Sequence, residues 1–318
     1  MENPANNPKT LLEAICYFSD LDVAIQFFAE LRWPDGPTCP ACGLVDKKHY
    51  YLKIRRVWKC RSCKKQFSVK VGTIFEDSPL GMNKWLPAMW MLVNCKNGKS
   101  SYELARDLGV QQKTAWFMLQ RIRLAMQTGT FEKLSGEIEA DETFVGGKAS
   151  NMHKKKREEK IQGRGSSGKA VVMGLLERHG EVRTQVVPDT KKKTLQGEIH
   201  KNVKPGSEVF TDALESYKGL NPEYLHEFID HAEKYVEGKV HVNGLENFWS
   251  LLKRCFHGTY VHAEPFHLFR YLDEEAFRFN ERDGEDSDRF RKALKSVAGK
   301  RLTYSELTGD DTVQGQLP

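Results

Sequence analysis

A chain of 318 residues has room for one large domain or two to three small ones, and 39% hydrophobic residues is enough for ordinary cores. Its net charge of +6 is modest for this length and is by itself weak evidence of a nucleic-acid partner. The longest apolar stretch, Trp85 to Cys95, contains a proline and is too short to cross a bilayer, so we expect a packed helix and no membrane partner.

Residues 1 to 36 are expected to form a helical N-terminal segment. The first ten residues are polar and lack the basic and then apolar regions of an export signal, which favours a cytoplasmic protein. Cys16, like Cys95 and Cys255 further along, lies among apolar residues with helical spacing. We expect these three thiols to be inert groups in the core.

Two C-x-x-C pairs define the next segment, residues 37 to 72. Cys39 and Cys42 form the first pair and Cys60 and Cys63 the second, with 17 residues between them. Four thiolates at this spacing can surround zinc as a tetrahedron. Disulfides are disfavoured in a reducing cytoplasm, and a redox site would need only one pair. The spacing therefore predicts a zinc ribbon, in which structural Zn²⁺ compensates for too small a core.

The ribbon is strongly basic. Residues 47 to 70 include ten Lys or Arg and no Asp or Glu. Such a run is often only a solvated surface, but here aromatic residues alternate with the cations, which suits phosphate contact and base stacking. Trp58 and Phe67 are expected to turn inward and fill the ribbon's core. The predicted DNA-binding residues of the ribbon are Arg55, Arg56, Lys59, Arg61, Lys64 and Lys65.

Residues 73 to 130 are expected to form a helix-turn-helix DNA-binding region. Ser100 or Ser101 can cap a first helix, Gly109 suits a tight turn, and apolar residues recur at helical spacing on both sides of it. Helical hairpins are also common as packing units, so the expectation of DNA contact rests partly on the basic ribbon beside them. The residues predicted to meet DNA are Gln111, Gln112, Lys113 and Arg121.

Two predicted strands carry acids at or near their ends. Residues 137 to 145 alternate so that Glu139 and Asp141 share one face, whereas Glu142 points to the other. A second short apolar strand, residues 207 to 212, ends in Asp212. Between them we expect a basic loop at 151–169, a hairpin formed by 170–177 and 181–188, and a short helix at 195–202.

The segment from His241 to Arg254 has helical periodicity and two chemically different faces. One face is apolar and consists of Leu245, Phe248, Trp249, Leu252 and Phe256. The other is polar and consists of Asn243, Glu246, Ser250 and Lys253. The pattern predicts a core-packed helix that displays a carboxylate, with an ammonium group two turns later. His231 and His241 precede it, and each is more typical of a local hydrogen-bonding group than of a substrate contact.

Asp141, Asp212 and Glu246 therefore come from two strands and a later helix, 71 and 34 residues apart. Such a triad can hold two divalent cations about 3.5 to 4 Å apart, an arrangement that supports in-line attack on a phosphodiester. Any one of these acids alone would usually be a solvated surface group, so the prediction rests on the set. Glu139 shares the face of Asp141 and is the alternative ligand.

Several blocks of the chain resemble bacterial insertion-sequence transposases of the insertion sequence 1595 family, also called the ISXO type. The catalytic blocks are 139–148, 211–212 with 216–220, and 243–254. The resemblance extends from about Leu11 to Arg282 and includes 33–36, 271–274 and 277–280. The resemblance implies an α/β chain with a ribonuclease H-like DDE catalytic domain at residues 131–282. Residues 283–318 lie past the resemblance and are expected to form a charged C-terminal tail. The resemblance also implies that Asp141, Asp212 and Glu246 bind metal and that Lys253 is the basic residue of the site.

We therefore expect a DNA transposase that binds the ends of an insertion sequence and catalyses metal-dependent strand cleavage and strand transfer into target DNA. The expected cofactors are Mg²⁺ or Mn²⁺ for catalysis and Zn²⁺ for structure. The expected partners are double-stranded DNA, as terminal inverted repeats and as target, and further copies of the chain in a homodimer or higher oligomer. The expected location is the bacterial cytoplasm, with nucleoid association when bound.

Two alternatives remain open on the sequence. One is a domesticated, non-cutting DNA-binding regulator, although such a protein could lose its acids without penalty and all three are present. The other is a ribonuclease H-like nuclease or resolvase, which would explain the acids but not the ribbon and the helix-turn-helix that precede them.

Overall fold

The computed structural model describes residues 8–127, 132–146, 154, 168–220, 222–229, 241–261 and 263–309. The chain divides into two compact units, residues 1–126 with 283–318 and residues 127–282. Both contain helices and strands, so the α/β class expected from the sequence is confirmed. Most of the predicted basic loop at 151–169, and His231, lie outside the described residues.

The first unit begins with helices α1 (Leu11–Phe18) and α2 (Leu21–Arg32). α1 buries Ala14 and Phe18, which are four residues apart and therefore share its inward face. Cys16 lies on the outward side and is exposed, so the expected burial of this thiol is wrong. Cys95 is partly buried, and Cys255 is buried as expected.

The ribbon is a three-stranded antiparallel sheet of β1 (Tyr50–Leu52), β2 (Val57–Lys59) and β3 (Gln66–Phe67). Trp58 and Phe67 are partners across β2 and β3 and are both buried, as predicted. The ring of Trp33, which directly follows α2, packs edge-on against both, with centroids 5.2 and 5.8 Å away. The small core of the ribbon is therefore completed by a residue that precedes the cysteine pairs.

A coil at residues 69–80 leads from the ribbon to α3 (Met82–Asn94). Its carbonyl groups accept hydrogen bonds from three cationic side chains, which are Arg32, Lys70 and Arg121. In α3 every residue from Trp85 to Val93 is buried, so this apolar segment is a packed helix as predicted. Within the described parts of the chain, no helix is both long and apolar enough to span a bilayer.

Helices α4 (Ser101–Leu108) and α5 (Gln112–Met126) follow, joined by a turn in which Gly109 has a φ of 60°. Ser100 caps α4, because its Oγ accepts from the Glu103 amide while the Glu103 carboxylate accepts from the Ser100 amide. The predicted helix–turn–helix path of the chain is thus present.

The segment expected to be a separate C-terminal tail contributes α9 (Asp286–Lys295) and α10 (Tyr304–Thr308) to the first unit. Phe290 of α9 is buried, and its ring lies 5.7 Å from that of Phe18 and 5.0 Å from that of Trp90. The end of the chain therefore belongs to the core of the unit formed by its beginning.

The second unit is built on a five-stranded mixed sheet with the order β6-β5-β4-β7-β8. The strands are β4 (Glu137–Val145), β5 (Ala170–Glu177), β6 (Val182–Val187), β7 (Glu208–Asp212) and β8 (Leu225–Ile229). β5 is antiparallel to both β4 and β6, whereas β7 runs parallel to β4 and β8 runs parallel to β7. The predicted strands and hairpin are confirmed to within a residue or two.

Helices cover both faces of this sheet. On one face α6 (Lys192–Asn202) packs Leu195 and Ile199 against Ile138 and Val209. On the other face lie α7 (Asn243–Cys255) and α8 (Leu268–Asn280). The predicted apolar stripe of α7 is buried from Leu245 to Leu252, but Phe256 is only partly buried because it begins a π-helical turn (Phe256–Tyr260) after the helix.

Candidate active site

The parallel pairing of β4 with β7 brings Asp141 and Asp212 to the same level of the sheet. The pairs Glu137 with Glu208, Ile138 with Val209 and Glu139 with Phe210 share an offset of 71 residues, and the same offset takes Asp141 to Asp212. Side chains alternate along a strand, and Ile138 and Ala140 lie in the core beneath α6. Asp141 therefore projects to the face covered by α7.

Asp141 is held against α7 by a hydrogen bond. The Trp249 indole Nε1 donates to Asp141 Oδ2 over 2.9 Å. The indole fits there because Gly174, the β5 partner of Asp141, has no side chain, and a Cβ at that position would lie 2.6 Å from Trp249 Cζ2. Burial raises the pKa of Asp141 to about 6, the Trp249 hydrogen bond opposes this rise, and the charges of Asp212 and Glu246 add to it. The three acids therefore interact electrostatically.

Glu246 and Lys253 lie on the exposed face of α7, together with Asn243 and Ser250, as the helical pattern predicted. Lys253 is the seventh residue after Glu246, which corresponds to two turns and about 10 Å along the axis. The carboxylate and the ammonium group are therefore displayed on the same side of one helix, and the charge of Glu246 acts on Asp141 of the sheet.

The three acids share one side of the sheet but do not form a tight cluster. Among the residues that the structure describes, only the four ribbon cysteines form a group of three or more possible ligands whose ligand atoms lie within 4.8 Å of one another. Carboxylates repel one another, and a divalent cation removes that repulsion. The donor set of three carboxylates fits a hard cation such as Mg²⁺ or Mn²⁺.

Glu142 points away from this group, as predicted. Its Oε2 accepts a hydrogen bond of 2.7 Å from the hydroxyl of Tyr217, which is fully buried in a 3-10 turn shortly after Asp212. Burial raises the pKa of Glu142 to about 7. The hydrogen bond from Tyr217 opposes this rise, and the charge of Asp212 adds to it. This hydrogen bond connects the segment that follows β7 to β4, and no sequence pattern predicted the contact.

Glu139 has other partners than a metal ion. Its Oε1 accepts from Arg178 Nε at 3.0 Å, its Oε2 accepts from the Leu245 amide at 3.0 Å, and the residue is 1% exposed. His241 lies beside it, and the Arg178 Nη2 donates to the His241 carbonyl at 2.8 Å. The alternative metal ligand is therefore an internal hydrogen-bond acceptor here, and His241 is a local hydrogen-bonding group as expected.

The four predicted zinc ligands come together in the ribbon. The Sγ atoms of Cys39 and Cys63 are 3.6 Å apart, as are those of Cys42 and Cys60, and all four lie within 4.8 Å of one another. Burial raises the pKa of Cys39, but the amides of Ala41 and Cys42 outweigh it and lower the value to about 7. Amide donors that favour the thiolate suit a zinc ligand, so the geometry and the chemistry both support structural Zn²⁺.

The predicted DNA-binding residues of the ribbon are mostly accessible. Arg55, Arg61, Lys64 and Lys65 are exposed and Lys59 is half-buried. Arg56 is paired with Asp22 of α2, with its Nε 2.6 Å from Asp22 Oδ1.

The predicted DNA-binding residues of α5 differ in exposure. Gln111 and Lys113 are exposed at its start, and Gln112 donates to Ser101 Oγ. Arg121 is only 4% exposed, and its guanidinium donates to the carbonyls of Ile74, Glu76 and Leu302. The prediction that Arg121 contacts DNA is therefore wrong, because its side chain satisfies backbone carbonyls that no strand or helix pairs.

Comparisons with known proteins agree with this architecture. Residues 133–280 match the family model of the ISXO2-like transposase domain, and residues 20–66 match that of the transposase zinc-ribbon domain. A Halobacterium salinarum protein described as an uncharacterized protein in transposable element ISH50 is 27% identical over 245 residues, which are 73% of this chain and 81% of that protein. An uncharacterized transposase-like protein of Haemophilus influenzae is 39% identical over 104 residues, which are 31% of this chain and 81% of that protein.

No solved structure matches the chain significantly. The matched domains coincide with the two features described above, since the zinc-ribbon model covers the four cysteines and α2, and the transposase model covers all three acids. The chain therefore belongs to the ISXO2-like, insertion sequence 1595 family of transposases, with a transposase zinc ribbon followed by a DDE transposase domain.

Proposed function

We propose that this transposase cleaves the ends of its insertion sequence and transfers the freed strands to target DNA by two-metal phosphoryl transfer. The observation that carries the proposal is the level position of Asp141 and Asp212 on adjacent parallel strands, with Glu246 on the helix that covers the same face. The sheet order, with three antiparallel strands followed by two parallel ones and helices on both faces, supports the ribonuclease H-like fold that the resemblance implied.

The roles of the residues follow from their chemistry. Asp141, Asp212 and Glu246 would hold two Mg²⁺ or Mn²⁺ ions. When bound, such ions activate the attacking water or 3′ hydroxyl and stabilise the leaving oxygen. Trp249 fixes the orientation of the Asp141 carboxylate through its indole N–H. Lys253 would attract a DNA phosphate toward the acids, since its ammonium group lies two helical turns after Glu246.

DNA affinity would come from the first unit. The exposed cations of the ribbon suit phosphate contacts, and Gln111 and Lys113 are exposed at the start of α5, where base edges or phosphates would be met. The partners would be the terminal inverted repeats and target DNA, with two or more copies of the chain acting on them. Structural Zn²⁺ on the four cysteines would keep the ribbon folded.

The test is a set of carboxylate substitutions in the full chain. Asp141→Asn, Asp212→Asn and Glu246→Gln each keep the side-chain shape and remove a negative ligand, so strand cleavage should fall by several orders of magnitude while DNA binding persists. Lys253→Ala should lower activity only partially. Mg²⁺ and Mn²⁺ should support cleavage, whereas Ca²⁺ should support assembly with little turnover.

Two outcomes would count against the proposal. An Asp141→Asn protein that nicks element ends at the parent rate would exclude this carboxylate from the chemistry. A parent protein that binds element ends tightly but cuts nothing with either metal would instead favour the domesticated regulator.

A further inference from the structure

One arginine in the second unit joins the three elements that carry the acids. Arg178 lies in the turn between β5 and β6. Its Nε donates to Glu139 Oε1 at 3.0 Å, its Nη1 donates to Glu137 Oε2 at 3.1 Å, and its Nη2 donates to the His241 carbonyl at 2.8 Å. Its guanidinium also stacks on the Phe210 ring, with Cζ 4.2 Å from the centroid. Both edges and the flat face of the guanidinium are thus in use.

Each of these partners lies close in sequence to one acid. Glu139 is two residues before Asp141 on β4, and Phe210 is two residues before Asp212 on β7. In an extended strand, residues two apart project to the same face, so the Arg178 partners and the two aspartates line one side of the sheet. The third acid is linked through His241, which lies two residues before the first residue of α7.

Glu139 completes the connection to α7. Its second oxygen accepts from the amide of Leu245, the residue directly before Glu246. This amide belongs to the first turn of the helix, where backbone donors have no partner within the helix. Gly244 allows the approach, because a Cβ there would lie 2.8 Å from Glu139 Oε2 and 2.4 Å from Leu176 Cδ2. A β4 side chain therefore fixes the start of the helix that carries the third acid.

The group is also shielded from solvent. The side chains of Arg178 and Glu139 are 11% and 2% exposed. A buried, hydrogen-bonded ion pair is costly to break, because removing one partner leaves the other charge without compensation. The planar guanidinium can bridge two carboxylates and a carbonyl at once, a geometry that a lysine ammonium group cannot reproduce.

We propose that Arg178 is a positioning residue for the acid triad. Together with Glu139, it holds β7 and the start of α7 against β4. In this way it fixes the separation of Asp141, Asp212 and Glu246. The inference rests on the proposed role of these acids as metal ligands. Arg178 acts through Glu139 and Phe210, which lie two residues before Asp141 and Asp212, and through His241 ahead of α7, and it does not itself supply a metal ligand. Removing a group that orients metal ligands typically weakens metal affinity or activity by about 10- to 100-fold.

The experiment compares Arg178→Met and Arg178→Lys in the full, zinc-loaded chain with a matched control. The control is Arg183→Met, since Arg183 is a partly buried arginine of β6 that pairs with Glu181 only two residues away. Mn²⁺ binding is measured by calorimetry without DNA, and the half-saturating Mn²⁺ concentration is measured in strand cleavage. Thermal unfolding without added Mn²⁺ reports the integrity of the fold.

We expect Arg178→Met to weaken Mn²⁺ binding about 10- to 100-fold, with the same shift in half-saturating Mn²⁺. Arg178→Lys should give a smaller shift, and Arg183→Met should behave as the parent. If Arg178→Met unfolds, the double substitution Arg178→Met with Glu139→Gln replaces it, because that pair leaves no uncompensated buried carboxylate.

The inference would be overturned if the folded variant, single or double, bound Mn²⁺ as tightly as the parent and cleaved DNA as fast. Asp141→Asn separates this failure from failure of the proposed function. If Asp141→Asn abolishes Mn²⁺ binding and the Arg178 variants do not weaken it, only the positioning role is lost. If Asp141→Asn also leaves Mn²⁺ binding unchanged, the metal site itself is misassigned.

Discussion

Asp141 combines burial, proximity to two other acids and a hydrogen bond from an indole N–H. Burial is the main reason that its pKa rises to about 6, and the charges of Asp212 and Glu246 add to the effect. A carboxylate in such surroundings is costly to ionise when no cation is bound. The same negative potential favours a divalent cation, so the property that would bind metal also destabilises the fold without it.

The raised pKa of Asp141 predicts that the stability of the fold depends on pH. The pKa of Asp141 is about 6 in the folded chain, against an ordinary value of 3.8, so the folded state binds this proton more tightly than the unfolded state. The stability that protonated Asp141 contributes to the fold is therefore fully present below about pH 3.8 and is lost as the pH rises to about 6. We expect Asp141→Asn to stabilise the zinc-loaded chain at pH 7, by about 2 to 3 kcal/mol.

Thermal unfolding as a function of pH measures the effect. The difference between Asp141→Asn and the parent should grow from about pH 4 to about pH 6 and then level off. Added Mn²⁺ should stabilise the parent and not the variant. Identical pH profiles for the two proteins would show that Asp141 is not a destabilising carboxylate.

Arg121 shows how residue-level inference from sequence can fail. Arg121 was predicted to contact DNA because it is a cationic residue of the second helix in the predicted helix-turn-helix. Its guanidinium instead donates to carbonyls at residues 74, 76 and 302. Those acceptors lie 47, 45 and 181 residues away, so no local pattern announces them. Arg178 was missed for the same reason, since its partners come from three separate segments.

At the scale of elements, the coil at residues 69–80 depends on cationic side chains. It lacks a helix or strand ladder, and Arg32, Lys70 and Arg121 supply donors to its carbonyls. Unpaired buried carbonyls cost about 1 to 3 kcal/mol each. We therefore expect Arg121→Met to lower the free energy of unfolding by about 2 to 4 kcal/mol. Urea denaturation would measure it.

Arg106→Met is the control, because Arg106 is an exposed arginine on α4 and its loss should change stability little. An Arg121→Met protein of parent stability that binds DNA more weakly would restore the original prediction of a DNA contact. Reduced stability with parent DNA affinity under native conditions would support the structural role.

The ribbon is the second element that depends on a specific interaction. Its core consists mainly of Trp33, Trp58 and Phe67, which is little apolar mass for independent folding. We expect Cys60→Ser to lose zinc, because a serine hydroxyl cannot replace the thiolate ligand. The zinc content per chain, measured by elemental analysis, should fall from about one to well below one. Cys16→Ser removes an exposed thiol outside the cluster and should retain full zinc. Full zinc in Cys60→Ser would exclude this cysteine as a ligand.

The elements that could be predicted are those with strong local signals. The alternation in residues 137–145, the hairpin that follows and the apolar stripe of α7 all reappear, because each of these elements buries one face. The cysteine spacing and the positions of the acids were likewise visible in the sequence. Gly174 within a strand was an unused signal of close approach, and it is where Trp249 packs.

What could not be predicted depends on contacts between distant segments. The charged C-terminal segment gave no sign that Phe290 would join Phe18 and Trp90, because those partners lie some two hundred residues or more earlier in the chain. The parallel pairing of β4 with β7, which aligns Asp141 with Asp212, is similarly non-local. Sequence periodicity indicates the face that a strand buries but not the strand beside it.

At the scale of the whole molecule, the predicted DNA-binding cations and the predicted catalytic acids belong to different units. The ribbon and α5 lie in the first unit, whereas Asp141, Asp212 and Glu246 lie in the second. Affinity for DNA and strand cleavage should therefore be separable by substitution. Phosphate contacts also have a distinct signature, because each one releases counterions and steepens the dependence of affinity on salt.

We expect the triple substitution of Arg55, Lys64 and Lys65 by alanine to weaken binding to element ends and to flatten its salt dependence. Each lost phosphate contact should reduce the slope of log K against log salt by about 0.9, so three lost contacts give at most about 2.7. Titrations of labelled end DNA at several salt concentrations would measure the slope.

The control replaces Lys191, Lys192 and Lys193 by alanine, which removes an equal number of charges from exposed positions of the second unit and should change the slope less. Asp141→Asn should leave it nearly unchanged. Equal slopes in the two triple variants would mean that net charge, and not the ribbon surface, governs DNA affinity.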